Sequence, residues 1–309
     1  MNRRAFTLIE LLAVIGIIVV LSTLTAMSVQ RIGKDTRLTG ATNKLLNVLE
    51  TTRSRAILEQ KPMLVVFIVK VELVAALAPN ALVDPTKIRR QWVEAVIGRL
   101  EDPLVPSLNN NPNSPTKQNY YDLFEPHPEI QSVRFDEGIK IAGPRTEVGR
   151  DGLWATQPEI KNNEYGRMIG ILFAADGTMQ TRISGGGQAN AAQYRYLVMD
   201  TDMDGLAREP DPTEGSTRYF HYDDYEDEPG VEVAQSLAVF DDKAARELFD
   251  ATKWSGVTRT YDKNNPFKPC SDLGSGQDRK ICDQSEFITQ FSNRIVINRF
   301  TGRAEVTQR

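Results

Sequence analysis

The stretch from Arg3 to Leu21, RRAFTLIELLAVIGIIVVL, decides the architecture of this protein. From Phe6 to Val29, Glu10 is the only ionisable side chain. These residues, about 24 in number, form roughly 36 Å of helix, which exceeds the roughly 30 Å thickness of a bilayer's hydrocarbon core. The basic residues before the apolar run predict a cytoplasmic N-terminus, with the rest of the chain outside.

Neither a secretory signal peptide nor a plain membrane anchor accounts for every feature of this stretch. A secretory signal peptide has a shorter apolar region, no internal charge and a small-residue cleavage site, which Leu24–Met27 does not offer. A plain membrane anchor explains the length but not Glu10, because a carboxylate at the centre of the apolar layer costs about 2.5–3.5 kcal/mol. Glu10 either extends towards the headgroups or has a partner, and intramembrane charges are usually paired and functional.

Residues Ala5 to Leu11, AFTLIEL, resemble the processing site of type IV prepilins and type II secretion pseudopilins. The resemblance implies that a prepilin peptidase/methyltransferase removes residues 1–5 by cutting between Ala5 and Phe6, and then methylates the new amine of Phe6. It also implies that Glu10 neutralises that amine on a neighbouring subunit, so that the pair fixes the register between subunits. Ala5 stands where the family usually has glycine, and slower cleavage is the expected consequence.

The predicted transmembrane helix, residues 6–29, is expected to continue as an amphipathic helix over residues 30–61. Apolar or small positions recur there at helical spacing, which predicts a stripe packed on an extracytoplasmic domain of residues 62–309. The stripe comprises Leu38, Ala41, Leu45, Val48, Leu49, Thr52 and Ala56. Because proline interrupts helices, Pro62 predicts an end near Gln60.

Beyond the helix, the sequence predicts a β-rich domain. The predicted strands are Met63–Val69, Met168–Ala174, Met179–Ile183, Tyr194–Met199, Arg294–Asn298 and Arg303–Val306. Asp84-Pro85 has the residues of a helix start and predicts a helix through Leu100. Residues 133–141 predict a hairpin, and Asp176-Gly177 and Arg299–Gly302 predict two further hairpin turns. Residues 102–128, rich in Pro, Asn and Ser, predict a surface loop.

Three segments carry a finer resemblance, to the H-type minor pseudopilins of type II secretion and the FimT-like minor pilins. They are Leu45–Val66 (LLNVLETTRSRAILEQKPMLVV), Ile171–Thr178 (ILFAADGT) and Ile295–Val306 (IVINRFTGRAEV). The resemblance implies a pilin-like α+β fold, in which a long N-terminal helix, first transmembrane and then amphipathic, packs on an antiparallel β-sheet. The chain departs from the family by insertions at about residues 70–129 and 200–292.

An acidic segment predicts a calcium loop. Asp200, Asp202 and Asp204 alternate before Gly205, as in the first half of an EF-hand loop, and Asp211 stands at its twelfth position. Arg208 departs from the oxygen ligand expected at the ninth position. The alternatives are a loop that binds Ca²⁺ outside the cytoplasm and a solvated acidic turn.

The two cysteines of the chain, Cys270 and Cys282, are predicted to form a disulfide. They enclose a short loop rich in Gly, Ser and Asp, and an extracytoplasmic location favours oxidation. On a loop-entropy argument the bridge contributes up to about 3 kcal/mol. Two free thiols would require a cytoplasmic domain, which the basic leader argues against.

The remaining composition gives no sign of an enzyme. The chain has 309 residues, a net charge of -4 and two histidines without a Cys/His cluster, so neither a nucleic-acid partner nor a zinc site is expected. No triad motif or zinc-protease motif is present, and no cofactor is required. The sequence therefore predicts a non-enzymatic protein, with Ca²⁺ as the one ion to consider.

The sequence as a whole predicts a minor pseudopilin that assembles into a type II secretion pseudopilus through its N-terminal helix. Its expected partners are the prepilin peptidase, other pseudopilins or pilins, and the inner-membrane assembly platform. Its expected location is the inner membrane, with a single span, a cytoplasmic N-terminus and a globular domain in the periplasm or outside the cell. The alternatives are a type IV pilus subunit for adhesion or DNA uptake, and a membrane-anchored enzyme or binding module.

Overall fold

The computed structural model describes 3 helices and 13 strands, together with the turns beside them. The described residues are 8–74, 88–106, 118–144, 154–156, 168–181, 193–200, 231–249, 251–254 and 277–307. The chain divides into two units, Met1–Gly40 and Ala41–Arg309. The combination of helices with antiparallel and mixed sheets makes the fold α+β, as predicted.

Helix α1 spans Leu8–Glu59, and its part in the second unit is amphipathic as predicted. The predicted stripe residues in this part are all buried: Ala41, Leu45, Val48, Leu49, Thr52 and Ala56. The helix ends at Glu59, where Gln60 adopts a φ of 51° and Pro62 follows two residues later. Proline cannot continue the hydrogen-bond ladder, so the sequence located this end correctly.

The first sheet has eight strands and is built around β1. Its strands are β1 (Met63–Leu73), β2 (Ile88–Pro106), β3 (Gln118–Pro126), β4 (Val133–Arg134), β7 (Met168–Phe173), β8 (Met179–Gln180), β9 (Gln193–Met199) and β10 (Val231–Val233). The main path runs β10-β7-β1-β2-β3-β9, while β4 pairs with β2 and β8 pairs with β7. The pairs β10–β7 and β3–β9 are parallel, so the sheet is mixed and not antiparallel throughout as predicted.

This sheet curls until its two end strands, β9 and β10, contact each other. One apolar cluster fills the inside of the curl, with members from five strands: Leu64, Val66, Ile68, Phe124, Leu172, Leu197, Met199, Val231 and Val233. The end strands β9 and β10 both contribute side chains to this cluster, which explains why the sheet closes. Curling buries apolar side chains that a flat sheet would leave in water.

The helix predicted from Asp84-Pro85 to Leu100 is wrong, because residues from Ile88 onwards form β2. Trp92 and Val96 are four residues apart, a spacing that fits one helix face and equally one strand face. Pairing with buried β1 decides the outcome, since β2 aligns with it from Met63↔Arg99 to Leu73↔Ile88. The surface loop predicted at residues 102–128 is also wrong in part, because it contains the end of β2 and all of β3.

The second sheet has five strands in the order β13-β12-β11-β5-β6. These are β5 (Ile139–Pro144), β6 (Trp154–Thr156), β11 (Ser236–Asp241), β12 (Asn293–Ile297) and β13 (Ala304–Thr307). The hairpin predicted at residues 133–141 is wrong, because β4 pairs with β2 whereas β5 pairs with β11 and β6. The turn between β4 and β5 carries the chain from one sheet to the other.

Two helices and a 3-10 turn cover part of the second sheet: α2 (Asp242–Leu248), Ala251–Trp254 and α3 (Gln277–Phe291). Phe240, Trp254, Phe287 and Ile288 belong to the apolar cluster beneath them. Asp283 of α3 is 1% exposed and accepts hydrogen bonds from the indole of Trp254 (2.9 Å) and the guanidinium of Arg279 (2.8 Å). The predicted insertions thus supply integral elements, β2 and β3 from the first and β10, β11, α2 and α3 from the second.

The predicted hairpin turn between β7 and β8 is confirmed, and it contains an acidic group with a shifted pKa. The hydroxyl of Thr178 donates to the Asp176 carboxylate at 2.6 Å and the Thr178 backbone N–H donates at 2.9 Å. These two bonds, the hydroxyl first, hold the pKa of Asp176 below its ordinary value. The stability they give is therefore present above the unfolded pKa of about 3.9 and is lost as the pH falls through the folded pKa.

We expect an NMR titration of the folded protein to give Asp176 a midpoint below that of the same residue in the unfolded chain. Replacing Thr178 by valine removes the hydroxyl donor, so the midpoint should move up towards the ordinary value. Thr289, exposed on α3, offers a matched threonine-to-valine control that should leave the Asp176 midpoint unchanged. A wild-type midpoint at or above the unfolded value would contradict this prediction.

Candidate assembly site

The first described residues of α1 carry the densest exposed apolar surface in the described part of the chain. From Leu12 to Leu21, eight large apolar side chains are between 46% and 66% exposed: Leu12, Val14, Ile15, Ile17, Ile18, Val19, Val20 and Leu21. They point in all directions around the helix, because consecutive residues are included. A helix that is apolar on every side is normally surrounded by lipid or by other helices.

Glu10 lies on α1, at the start of this apolar segment. The other two residues of the predicted processing site, Ala5 and Phe6, lie outside the described residues. Glu10 is about 3 Å along the helix axis from Leu12, since each residue adds about 1.5 Å. The backbone thus places the one charged residue of the segment on the same continuous helix as the exposed apolar side chains.

Within the described residues, no helix meets the combined requirements of length and apolar character for a membrane span. The predicted span at residues 6–29 includes residues outside the described set, and it stays a prediction.

The predicted calcium loop is described at one residue only. Asp200 follows β9, is fully buried and donates its backbone N–H to the Phe124 carbonyl at 2.8 Å. Asp202, Asp204 and Asp211 lie outside the described residues. Among the residues that the structure does describe, no group of three or more His, Cys, Asp or Glu side chains is placed to hold a metal ion. The calcium loop stays a prediction.

The predicted disulfide is described at one end. Cys282 lies on α3, half-buried, and it is not a free thiol. Cys270 lies outside the described residues, so the pairing of the two cysteines stays a prediction.

Three distant segments meet at the C-terminal end of α1. The guanidinium of Arg53 donates to the carbonyl of Thr301 at 2.8 Å, and the backbone N–H of Met179 donates to the carbonyl of Arg299 at 3.2 Å. Gly302, with φ of 66°, packs so closely on the backbone of Gly177 that a side chain there would overlap the Gly177 carbonyl. The helix and the two hairpin turns are therefore locked together.

A second set of contacts at this end of α1 was not foreseen from the sequence. His127 is 5% exposed, and its Nε2 lies 2.6 Å from Oε1 of Glu59. Its Nδ1 accepts the backbone N–H of Glu129 at 3.2 Å, so the neutral ring carries its proton on Nε2 and donates it to Glu59. Arg55 lies 3.2 Å from Glu129. These contacts anchor the last turn of α1 to the chain after β3, and no local pattern around His127 indicates them.

Comparison with known protein families adds the decisive observation on the N-terminus. Residues 1–26 match the prokaryotic N-terminal methylation motif. The match contains the predicted leader, the cleavage site between Ala5 and Phe6, and Glu10. No curated protein and no solved structure shows a significant similarity to the chain.

The methylation motif indicates a type IV pilin-like or pseudopilin subunit, processed by a prepilin peptidase and assembled with other such subunits. Proteins with this motif are structural and not enzymatic. The match covers 26 of the 309 residues, so it indicates the pilin-like class from the N-terminus and does not distinguish a secretion pseudopilin from a pilus subunit.

Proposed function

We propose that this protein is a minor pseudopilin, an inner-membrane subunit that initiates or caps a type II secretion pseudopilus. The observation that carries the proposal is the methylation motif at residues 1–26, which contains the exposed apolar segment of α1 from Leu12 to Leu21. Cleavage before Phe6 exposes an amine within the apolar layer, and Glu10 of a neighbouring subunit neutralises it. The apolar helices then pack together as the filament core, and the β-domain lies outside it.

The minor role is supported by the size of the domain. The insertions add integral strands and helices to the β-domain, which suits a specialised subunit better than a bulk one. The H-type relationship is supported by the contact among the three resembling segments, since Arg53, the Gly177 turn and the Gly302 turn meet in one place. If the purified protein formed long homogeneous filaments by itself, the minor role would be wrong.

A pilus subunit for adhesion or DNA uptake is the alternative within the same class. Deleting the gene separates the two, because loss of an exported enzyme from the medium supports the secretion role, and loss of piliation or transformation supports the pilus role. A membrane-anchored enzyme or binding module is the alternative from another class, and its activity would survive replacement of Glu10.

We expect the mature protein, isolated from cells that have a prepilin peptidase, to begin with N-methylated Phe6. Mass spectrometry of the N-terminal peptide measures this directly. The same cells without the peptidase should yield a chain that retains residues 1–5. A chain that keeps its leader in both strains, or one cut near Ala26, would rule out the pilin-like pathway and leave an ordinary anchor or signal peptide.

A further inference from the structure

The exposed face of α1 in the second unit carries a shallow, open groove between the side chains of the helix itself. Every residue that lines the groove belongs to α1: Asn47, Glu50, Thr51, Ser54, Arg55 and Leu58. Leu58 is 72% exposed, and Ile57 beside it is 43% exposed. The groove lies on the face opposite the buried stripe that contacts the β-domain.

The residues along the centre of this groove have the spacing of a helix-pairing seam. Asn47, Thr51, Ser54 and Leu58 are separated by four, three and four residues, the alternation that keeps a two-stranded coiled coil in contact. Three of the four have short side chains, so a second helix can approach closely, and Leu58 offers an apolar anchor at one end. We call these four residues the α1 seam.

The charges beside the α1 seam match those of a second copy of the same helix. Glu50 flanks one side and Arg55 the other, five residues further along. In heptad terms Glu50 occupies a g position and Arg55 an e position. In a parallel pair of helices, a g residue on one helix lies beside the e residue five positions later on the other helix. A parallel, in-register pair would therefore place Glu50 of each copy beside Arg55 of the other, twice by symmetry.

The existing partners of these two charges do not prevent the exchange. Glu50 is 57% exposed on its side chain and contacts Arg53 at 3.0 Å. Arg55, whose side chain is 31% exposed, contacts Glu59 at 3.6 Å and the exposed carboxylate of Glu129 at 3.2 Å. Ion pairs at the surface contribute about 0–1 kcal/mol, so exchanging them costs little, and the contact of His127 with Glu59 still holds the last turn of α1. An antiparallel pair would instead place the acidic flank of one helix beside the acidic flank of the other, and the basic flank beside the basic flank. The charges thus select orientation more than they add affinity.

We propose that the α1 seam binds a second copy of this chain, with the two helices parallel and in register. The partner is a copy of the same chain because one helix supplies both the acidic and the basic flank at the required offset. The inference goes beyond the proposed function, since it concerns a contact between globular units and does not require a filament or a paired N-terminal amine.

Disulfide cross-linking of variants that each carry one added cysteine, in membranes from cells that express the full chain, tests this contact; the wild-type chain, with only Cys270 and Cys282, gives the background yield. Ser54→Cys should cross-link to itself at least about fivefold more than Glu305→Cys, a matched exposed position on β13. A mixture of Asn47→Cys and Leu58→Cys chains should not cross-link between the two positions, because they are about 16 Å apart along parallel helices. Equal yields for Ser54→Cys and Glu305→Cys, or preferential linkage of 47 to 58, would overturn the proposal.

Charge variants in the Ser54→Cys background add a second, independent readout. Glu50→Arg should lower the cross-linking yield severalfold, and adding Arg55→Glu to the same chain should restore it. Unchanged thermal unfolding of each variant shows that the domain is folded. A yield that does not respond to Glu50→Arg means that another protein or lipid covers the seam, and it refutes self-pairing. Glu10→Ala should not lower the yield, so failure of filament assembly and failure of this contact are distinguishable.

Discussion

Replacing Glu10 by alanine is expected to abolish incorporation of this protein into filaments while leaving cleavage before Phe6 intact. The substitution leaves the amine of a neighbouring subunit unpaired in an apolar environment. Removing one partner of a buried ion pair typically costs about 3–5 kcal/mol, and each 1.4 kcal/mol changes an equilibrium about tenfold. Incorporation should therefore fall by about two to four orders of magnitude, measured as the amount of protein in sheared filament fractions.

Two further variants separate the charge of Glu10 from its shape. Glu10→Gln keeps the size of the side chain and removes the charge, so it should fail nearly as completely as alanine. Glu10→Asp keeps the charge with a shorter reach and should retain part of the incorporation. Normal incorporation of Glu10→Ala and Glu10→Gln, with the leader correctly removed, would exclude pairing between Glu10 and the amine.

Replacing Gly302 by alanine is expected to destabilise the β-domain by about 2–5 kcal/mol, which is large for one methyl group. Gly302 has a φ of 66°, a conformation that L-residues adopt only with strain. The new Cβ would also overlap the Gly177 carbonyl and lie 3.1 Å from the guanidinium of Arg53. The backbone cannot move away easily, because Arg53 holds the adjacent Thr301 carbonyl. Chemical denaturation of the full chain in detergent measures the loss.

The other glycines provide an ordered control series. Gly177→Ala should cost less than Gly302→Ala, because the new Cβ meets the flexible end of the Ile57 side chain instead of backbone. Gly40→Ala meets nothing within 4 Å inside α1, and it should stabilise the helix by about 0.5–1 kcal/mol. Equal effects at the three positions would show that the contact between the two turns is not what makes Gly302 necessary.

The elements that sequence reasoning located correctly are those with a strong local signal. The end of α1 near Gln60, strand β1, the Asp176-Gly177 turn and the β12–β13 hairpin each contain proline, a continuous apolar run or a turn glycine. Such residues restrict the backbone whatever surrounds them. The N-terminal motif belongs with these, since its leader, cleavage site and Glu10 lie within a few residues of one another.

The elements that were missed depend on partners far away in the chain. Trp92 and Val96 fit a helix or a strand equally well, and only pairing with β1 makes β2 a strand. Helix α3 has few apolar residues, and part of its buried surface is Asp283, whose partner outside the helix is Trp254. A buried charge cannot be distinguished from a solvated one until its partners are known.

The sequence by itself determined the N-terminal methylation motif of this protein and, with it, the pilin-like class. An uninterrupted apolar run with one carboxylate after a basic leader has few physical solutions, and all of its information is local. Only the tertiary structure decided how the β-domain is built: two sheets instead of one, a mixed sheet that curls on itself, and turns from distant segments locked around Arg53. The physical reason is that strand pairing and burial depend on contacts across the fold, which local residue patterns do not specify.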